Sequence, residues 1–269
     1  FGQGTVNALD EAAWLVLWRL GLPLDTDLDD PAFTVSSADE VRVQTLLDER
    51  IRTRKPLAYL TGEAWLQGVP FYVDERTIIP RSLIAEVLAM GWLDEYLPDV
   101  GARVMDLCTG NGSLAVLAAM AWPQAMVHGL DLSAQALQVA ARNVERHALG
   151  HRIELSLSDG FAAAHGVYHL ILCNPPYVNQ QSMDALPPEF RAEPVLALAG
   201  GSDGMDFIRP CLQQAAQWLT PEGALVLEIG HEIDHFERAF PTLTPWWLDT
   251  SAGDTQVALL RATDLVALP

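Results

Sequence analysis

From Gly101 onward, apolar residues form short uninterrupted runs that alternate with stretches of helical periodicity. The runs predict strands at Arg103–Leu107, Met126–Leu130, Ile153–Leu157, Tyr168–Cys173 and Ala224–Ile229. The stretches between them predict helices, notably at Leu114–Ala121 and Ala134–His147. Strands that are apolar throughout are buried on both faces, which is typical of a parallel sheet covered by helices.

The end of the chain has a different pattern, with no helical stretch between its last two β-prone runs. Trp246–Thr250 and Gln256–Arg261 flank a Ser-Ala-Gly-Asp turn, which predicts a β-hairpin. We therefore expect one antiparallel strand to join the parallel sheet. The complete pattern is that of a Rossmann-like α/β fold.

The first part of the chain reads as helical. Apolar residues recur at helical spacing at Leu9, Ala12, Ala13, Val16, Leu17 and Leu20, and the helix is expected to end at Gly21. Ser36 or Ser37 can cap a second helix through Val41, Leu46, Leu47 and Ile51. These patterns predict a small helical domain over residues 1–62.

Residues 63–82 read as a linker with β-structure. Ala64–Leu66 and Phe71–Val73 flank a turn and predict a hairpin, and Thr77–Ile79 is a third extended piece. Ser82 can cap a following helix, expected to run through Ile84, Val87, Leu88 and Leu93. The α/β domain is then expected over residues 83–269.

Composition and charge restrict the class of partner. Half of the 269 residues are apolar, yet no apolar run is long enough to span a bilayer, so we expect a cytoplasmic protein without a membrane partner. The formal net charge of -19 disfavours direct nucleic-acid recognition, which relies on basic surfaces. A basic protein partner fits this charge, although general solubility explains it equally well.

Three cysteines, Cys108, Cys173 and Cys211, show neither CxxC spacing nor the density of a disulfide scaffold. Two of them lie inside apolar runs. We expect reduced thiols in the core and no metal or redox role.

Acidic side chains follow three successive predicted strands. Asp106 opens the segment Asp-Leu-Cys-Thr-Gly-Asn-Gly, which ends at Gly112, and Gly110 and Gly112 allow a tight turn. Asp131 ends the second strand, where a carboxylate can accept both hydroxyls of a ribose, and Asp159 follows the third. Together they predict a nucleotide site. A dinucleotide-dependent dehydrogenase shares this layout, so the next motif decides the class.

The tetrapeptide Asn174-Pro175-Pro176-Tyr177 directly follows the fourth strand. The side-chain carbonyl of Asn174 and the backbone carbonyl of Pro175 can accept the two N–H groups of a planar amide or amine, and Tyr177 can pack on that group. Such a nitrogen is a poor nucleophile, so orienting it is a large part of any transfer to it. The motif therefore predicts catalysis on a conjugated nitrogen.

His231-Glu232-Ile233-Asp234-His235 matches the HExxH signature of zinc peptidases. Zinc would require both histidines on one helix face and a third ligand, and no obvious third ligand follows. We interpret the segment as the start of a solvated helix.

With these residues in hand, the chain resembles the HemK-type protein glutamine N5-methyltransferases over nearly its whole length. The matching stretches are Pro56–Thr61, Phe71–Arg76, Ile79–Ser82, Asp106–Gly110, Asn174–Val178, and Glu193-Pro194 with Gly201–Gly204. The resemblance is strongest to the branch whose substrate is a large-subunit ribosomal protein. The release-factor branch typically continues Ile-Pro-Arg with a second proline, where this chain has Ser82.

The resemblance implies a seven-stranded class I fold that uses S-adenosyl-L-methionine (SAM), preceded by a substrate-recognition domain and a hairpin. It implies that Asn174 and Pro175 bind the substrate amide, with Pro176, Tyr177, Arg81 and Glu193 near the same cleft. The implied cofactor residues are Asp106, Thr109, Gly110, Gly112, Asp131, Asp159 and Asn174. The alternatives are release-factor methylation, adenine N6-methylation of nucleic acid, zinc peptidase activity and a non-catalytic assembly factor.

Overall fold

The computed structural model describes residues 3–5, 7–28, 30 and 33–266. The N-terminal part contains helices α1 (Ala8–Leu20), α2 (Ser37–Thr53) and α3 (Leu57–Thr61), followed by a hairpin of β1 (Glu63–Leu66) and β2 (Val69–Tyr72). Asn7 caps α1, Gly21 ends it in the left-handed conformation, and Ser36 caps α2 by accepting the N–H of Asp39. The predicted helices and hairpin are thus present.

The buried face of α1 differs from the predicted one. Leu9 is 78% exposed, whereas Trp14 and Leu15 are 8% and 2% exposed and pack in a core with α2, α3 and the hairpin. A tryptophan removes far more apolar area from water than an alanine does. The helix therefore buries Trp14 and Leu15 together with Leu17 of the predicted stripe, which is 3% exposed, in place of the small residues of that stripe.

The predicted extended piece Thr77–Ile79 is not helical, and it pairs with no strand among the described residues. Side chains contact its carbonyls: Tyr59 donates to Thr77 O at 2.6 Å and Arg81 donates to Ile79 O at 3.1 Å. The predicted extent of the helix that follows is wrong. Helix α4 (Ile84–Ala89) stops short of Leu93 because Gly91 turns the chain at a φ of 72°.

The second half of the chain forms a seven-stranded sheet with the order β5-β4-β3-β6-β7-β9-β8. Its strands are β3 (Arg103–Leu107), β4 (Met126–Asp131), β5 (Ile153–Leu157), β6 (Tyr168–Cys173), β7 (Leu219–Glu228), β8 (Trp246–Thr250) and β9 (Gly253–Arg261). The first five of these strands run parallel, and β9 is antiparallel to both of its neighbours. The predicted fold class is confirmed, including the antiparallel strand; β7 begins five residues before the prediction.

Helices cover both faces of the sheet. They include α5 (Ser113–Ala121), α6 (Ala134–Arg146), α8 (Ile208–Ala215), α9 (Ile233–Ala239) and α10 (Ala262–Leu265), whereas the short helix α7 (Gln180–Ala185) has no buried residue. One buried cluster packs α4 and α5 on one face, and a second packs α8 and α10 on the other. None of the helices within the described ranges is long and apolar enough to cross a membrane.

Candidate active site

The strand order reverses between β3 and β6, which are hydrogen-bonded neighbours in the sheet. In the sequence, β4 and β5 lie between them. Leu107 lies opposite Leu130 on one side and Cys173 on the other, so the loops that follow these three strands start side by side. Ligands of open α/β sheets bind at such a reversal. A cavity lies here, and its lining includes Gly110, Asp131, Asp159, Asn174 and Pro176.

Asp131 is the most elaborately held of the predicted cofactor residues. Its Oδ2 accepts the N–H of Gly110 and its Oδ1 accepts the N–H of Ser133, both at 2.8 Å. Burial raises the pKa of Asp131, and the two backbone hydrogen bonds act in the opposite direction. Each oxygen keeps a lone pair for a hydroxyl ligand, so the carboxylate is oriented in advance.

Asp106 lies deeper, at 1% exposure. Its Oδ2 accepts the hydroxyl of Thr109 at 2.6 Å and the N–H of Ala115 at 2.9 Å. Its Oδ1 is buried and has no hydrogen-bond partner among the described residues. Burial raises the pKa of Asp106 to about 7, against the lowering effect of its two donors. A buried, unpaired carboxylate oxygen is costly unless a ligand or water satisfies it.

The two glycines of the loop after β3, Gly110 and Gly112, have different roles. Gly110 has a φ of 56° and lines the cavity, and its N–H is the one that Asp131 accepts. Gly112 has a φ of 79°, and a Cβ there would lie 3.1 Å from the Cβ of Ala140. Gly112 therefore permits close packing against α6 and is not part of the cavity wall, whereas Thr109 lines a small adjoining pocket.

Asp159 is exposed at the cavity wall, on the loop after β5. The neighbouring Ser158 shapes that loop, because its hydroxyl donates to Gly160 O at 2.7 Å and accepts the N–H of Ala163 at 2.9 Å. Sequence reasoning missed Ser158, although its apolar-strand context and its position beside Asp159 were a usable signal.

Asn174 follows β6 and lines both the main cavity and the adjoining pocket. Its side chain makes no hydrogen bond within the described residues, and no described donor reaches the carbonyl of Pro175. Two hydrogen-bond acceptors without a described donor, the side-chain oxygen of Asn174 and the carbonyl of Pro175, thus follow one another after β6. Pro176 contributes to the cavity wall.

Tyr177 is not part of the cavity lining. Its hydroxyl donates to Glu228 Oε1 at 3.1 Å, and burial, followed by the charge of Glu228, raises its pKa well above the usual range. Glu228 ends β7 and also accepts the hydroxyl of Ser82 at 2.6 Å and the N–H of Leu83 at 2.9 Å. Sequence reasoning missed Glu228, although a carboxylate inside an apolar strand run is itself a signal of a buried polar contact.

Two glycines, Gly200 and Gly204, pack closely against the backbone of the Asn-Pro-Pro-Tyr tetrapeptide. A Cβ at Gly204 would lie 2.3 Å from the carbonyl oxygen of Tyr177, and one at Gly200 would lie 2.8 Å from that of Pro176. Val178 N–H donates to Leu198 O at 2.8 Å and Gly200 N–H donates to Val178 O at 2.9 Å. The backbone after Asn174 is therefore packed against a second loop.

Arg81 and Glu193, which the resemblance places near the cleft, bind each other. The two terminal nitrogens of Arg81 each donate to one oxygen of Glu193 at 2.7 Å, and Gln3 donates to the same carboxylate at 2.8 Å. Burial alone lowers the pKa of Arg81, but Glu193 outweighs it and the pKa is raised. The next residue, Pro194, lines the cavity, so this pair holds one wall in place.

The HExxH segment does not form the geometry of a zinc peptidase. Helix α9 begins at Ile233, so His231 precedes it, and its ring lies 3.3 Å from the Gln256 amide. His235 lies 2.6 Å from Glu232. Glu232 is only 7% exposed and accepts the side-chain amide of Asn179 at 2.7 Å, so it is buried and not the solvated residue we expected.

Comparisons with known proteins identify the family. The family model described as methyltransferase small domain matches residues 89–238. The ribosomal protein uL3 glutamine methyltransferase of Bordetella pertussis is 52% identical over 270 residues, covering 98% of this chain and 89% of that protein. The protein of the same name from Burkholderia pseudomallei is 47% identical, covering 100% of this chain and 90% of that protein.

A solved structure agrees in fold. The hMettl16 catalytic domain, in complex with MAT2A 3'UTR hairpin 6, has a TM-score of 0.54 at 13% identity, covering 87% of this chain and 85% of that one. Sheet, crevice and family model together define a methyltransferase of the class I fold. The chain belongs to the family of ribosomal protein uL3 glutamine methyltransferases.

Proposed function

We propose that this protein transfers a methyl group from SAM to the side-chain N5 of a glutamine in a large-subunit ribosomal protein. The substrate follows from the names of relatives 52% and 47% identical over nearly the whole chain. The observation that carries the chemistry is the pair of unused acceptors at Asn174 and Pro175, beside a cavity with nucleotide-type carboxylates.

The residues of the cavity fit SAM. Asp131, which two backbone N–H groups hold in place, would accept the hydroxyls of the ribose. Gly110 would leave room for the ligand, and Asp159, at the cavity wall, would accept the adenine amino group. The unpaired Oδ1 of Asp106 would be satisfied by the ammonium group, directly or through water, with Thr109 holding the carboxylate. Bound SAM supplies an electrophilic methyl group.

The acceptor side needs orientation more than proton transfer. The side-chain oxygen of Asn174 and the carbonyl of Pro175 accept the two N–H groups of the glutamine amide, which fixes the direction of its nitrogen. In the transition state the nitrogen becomes more positive and its N–H groups become better donors, so these hydrogen bonds strengthen. Pro176 closes the wall beside them.

We assign substrate recognition to the helical part, residues 1–62, joined by a linker at residues 63–82 to a catalytic part at residues 83–269. The net charge of -19 suits a basic ribosomal protein, because charge complementarity accelerates encounter and disfavours acidic competitors. It disfavours direct nucleic-acid recognition. A cytoplasmic location follows from such a substrate.

The test supplies isotope-labelled SAM with ribosomes and large-subunit proteins from cells that lack the enzyme, and locates label by peptide mass spectrometry. We expect label on one glutamine of a large-subunit ribosomal protein, and none with Asn174→Ala. Label on a release factor or on adenine would overturn the substrate, while leaving the fold and family unchanged.

A further inference from the structure

Glu228 is a buried carboxylate that the proposed chemistry does not use. It is 2% exposed, lies outside the cavity lining and accepts three hydrogen bonds, from Ser82, Leu83 and Tyr177. Burial raises its pKa while these donors lower it. A carboxylate is costly to bury, so three converging donors indicate a specific junction and not ordinary packing.

The junction lies level with the acceptor loop. Cys173 pairs with Leu227 in adjacent parallel strands, so Glu228, the last residue of β7, lies at the level of Asn174, which directly follows β6. Tyr177 folds back across this gap to reach Glu228. The sheet thus fixes the start of the Asn-Pro-Pro-Tyr loop, and Glu228 fixes its end.

Gly230 supports the same arrangement independently. A Cβ at Gly230 would lie 2.5 Å from the ring of Tyr177, and Gly230 has a φ of 55°. The glycine therefore provides the space in which the tyrosine ring lies. Both the ring and the hydroxyl of Tyr177 therefore have a built position, and Tyr177 is not among the residues that line the cavity.

The other two donors are the last residue of the linker, Ser82, and the residue after it, Leu83. Ser82 and Leu83 directly follow Arg81, whose guanidinium binds Glu193 and so holds the wall that contains Pro194. Residues 81–83 therefore contact both supports of the acceptor site, Glu193 on one side and Glu228 on the other. A shift of this segment would reach Asn174 through Tyr177.

We propose that Glu228 is a positioning residue, which sets the orientation of Asn174 and Pro175 through the Tyr177 hydroxyl and couples that loop to the linker through Ser82. This inference rests on the proposed function. Tyr177 then acts on the two acceptors through its contact with Glu228. Its loss is expected to misplace the acceptors without changing the cofactor side.

The test compares Tyr177→Phe and Glu228→Gln, singly and combined, with Tyr168→Phe as matched control. Tyr168 is a buried tyrosine at the other end of β6, where its hydroxyl contacts His128 at 2.8 Å. Tyr177→Phe removes one oxygen, and Glu228→Gln keeps the shape but loses acceptor capacity for three donors. Single-turnover methyl transfer, SAM affinity and melting temperature are measured for each.

We expect Tyr177→Phe to lower the single-turnover rate by roughly 10- to 100-fold, as misplacement of a reacting group by a fraction of an ångström does, with SAM affinity unchanged. Glu228→Gln should lower the rate by a similar factor. The double variant should be little slower than either single variant, because both changes break the same contact between Tyr177 and Glu228. Tyr168→Phe should leave the rate unchanged. Equal rates in wild type and Tyr177→Phe would overturn the positioning role, as would additive effects.

A measurement that requires no methyl transfer tests this inference independently of which substrate the enzyme uses. Amide hydrogen exchange in peptides spanning Tyr177–Asn179 should accelerate in Tyr177→Phe and Glu228→Gln, and stay unchanged in Tyr168→Phe. If wild type methylates another acceptor, the rate ratios are measured on that acceptor. Unchanged exchange in both loop variants would overturn the proposal whatever the substrate is.

Discussion

The two halves of the site are built from contacts of very different range. On the cofactor side, Asp106 contacts residues 3 and 9 positions away, and Asp131 reaches Gly110 across 21. On the acceptor side, Tyr177 and Glu228 are 51 positions apart, and Arg81 and Glu193 are 112 apart. The cofactor half is therefore shaped by its own loop, whereas the acceptor half exists only once distant segments have folded together.

The variant with the largest expected effect also distinguishes the acceptor half of the site from the cofactor half most directly. Asn174→Ala removes a side-chain acceptor from the transferring nitrogen, and we expect a loss of about 10²- to 10³-fold in single-turnover rate, as for other preorganised hydrogen bonds. SAM affinity, measured by calorimetry, should stay within about threefold. An equal loss of rate and of SAM affinity would place Asn174 in the cofactor half.

Glu193→Ala should destabilise the fold by about 1.5–3 kcal/mol, because it leaves the partly buried guanidinium of Arg81, whose side chain is 25% exposed, without its charged partner. Urea unfolding measures this loss, and Arg81→Ala combined with Glu193→Ala should cost less than the sum of the two single changes. Glu75→Ala, which removes the surface pair with Lys55, is the control and should cost at most about 1 kcal/mol. A loss at Glu193 as small as this control would mean that the pair does not hold the cavity wall.

Asp131→Ala should weaken SAM binding by about 1.5–3 kcal/mol, since charged hydrogen bonds to the ribose and the hold on Gly110 are lost together. Asp159→Ala should have a smaller effect, because Asp159 is exposed and water competes for it. Calorimetric titration of both variants checks the order. Unchanged affinity in Asp131→Ala would exclude it from the cofactor site.

The smallest effect concerns pH. Burial raises the pKa of Asp106 from its usual acidic value to about 7, so the unliganded protein holds a proton there that a cationic ligand displaces. SAM affinity should therefore fall as pH drops below 7, by at most about tenfold per pH unit. The raised pKa also means that Asp106 lowers folding stability as pH rises from about 4 to 7. Asp106→Asn should remove both dependences, and a persisting slope would assign them to another group.

The sequence predicted most of the sheet because its strands are short and mainly apolar and are separated by helical stretches; Ile153–Leu157, which contains Glu154 and Ser156, is the edge strand β5. Four of the five predicted parallel strands match the observed bounds to within one residue. It also singled out Asp106, Asp131 and Asn174, which the sheet brings together at one edge. Such residues are recognisable because parallel strands deliver their carboxyl ends to the same place.

The sequence missed features that depend on which distant surface a residue meets. It did not show that the Tyr177 hydroxyl meets Glu228, or that Ala140 limits the space beside Gly112. On α1 it identified Leu17, which is buried, but it also included Leu9, which is exposed, and left out Leu15. In each case local spacing allows both arrangements.

The sequence by itself determined the α/β pattern, the strand-end carboxylates and the Asn-Pro-Pro-Tyr loop, because periodicity, apolar runs and backbone restrictions act between near neighbours. Only the tertiary structure decided how that loop is held: Glu228 for Tyr177, and Arg81 for Glu193. A buried charge must find a partner, but its choice among distant residues is fixed only when the chain has packed.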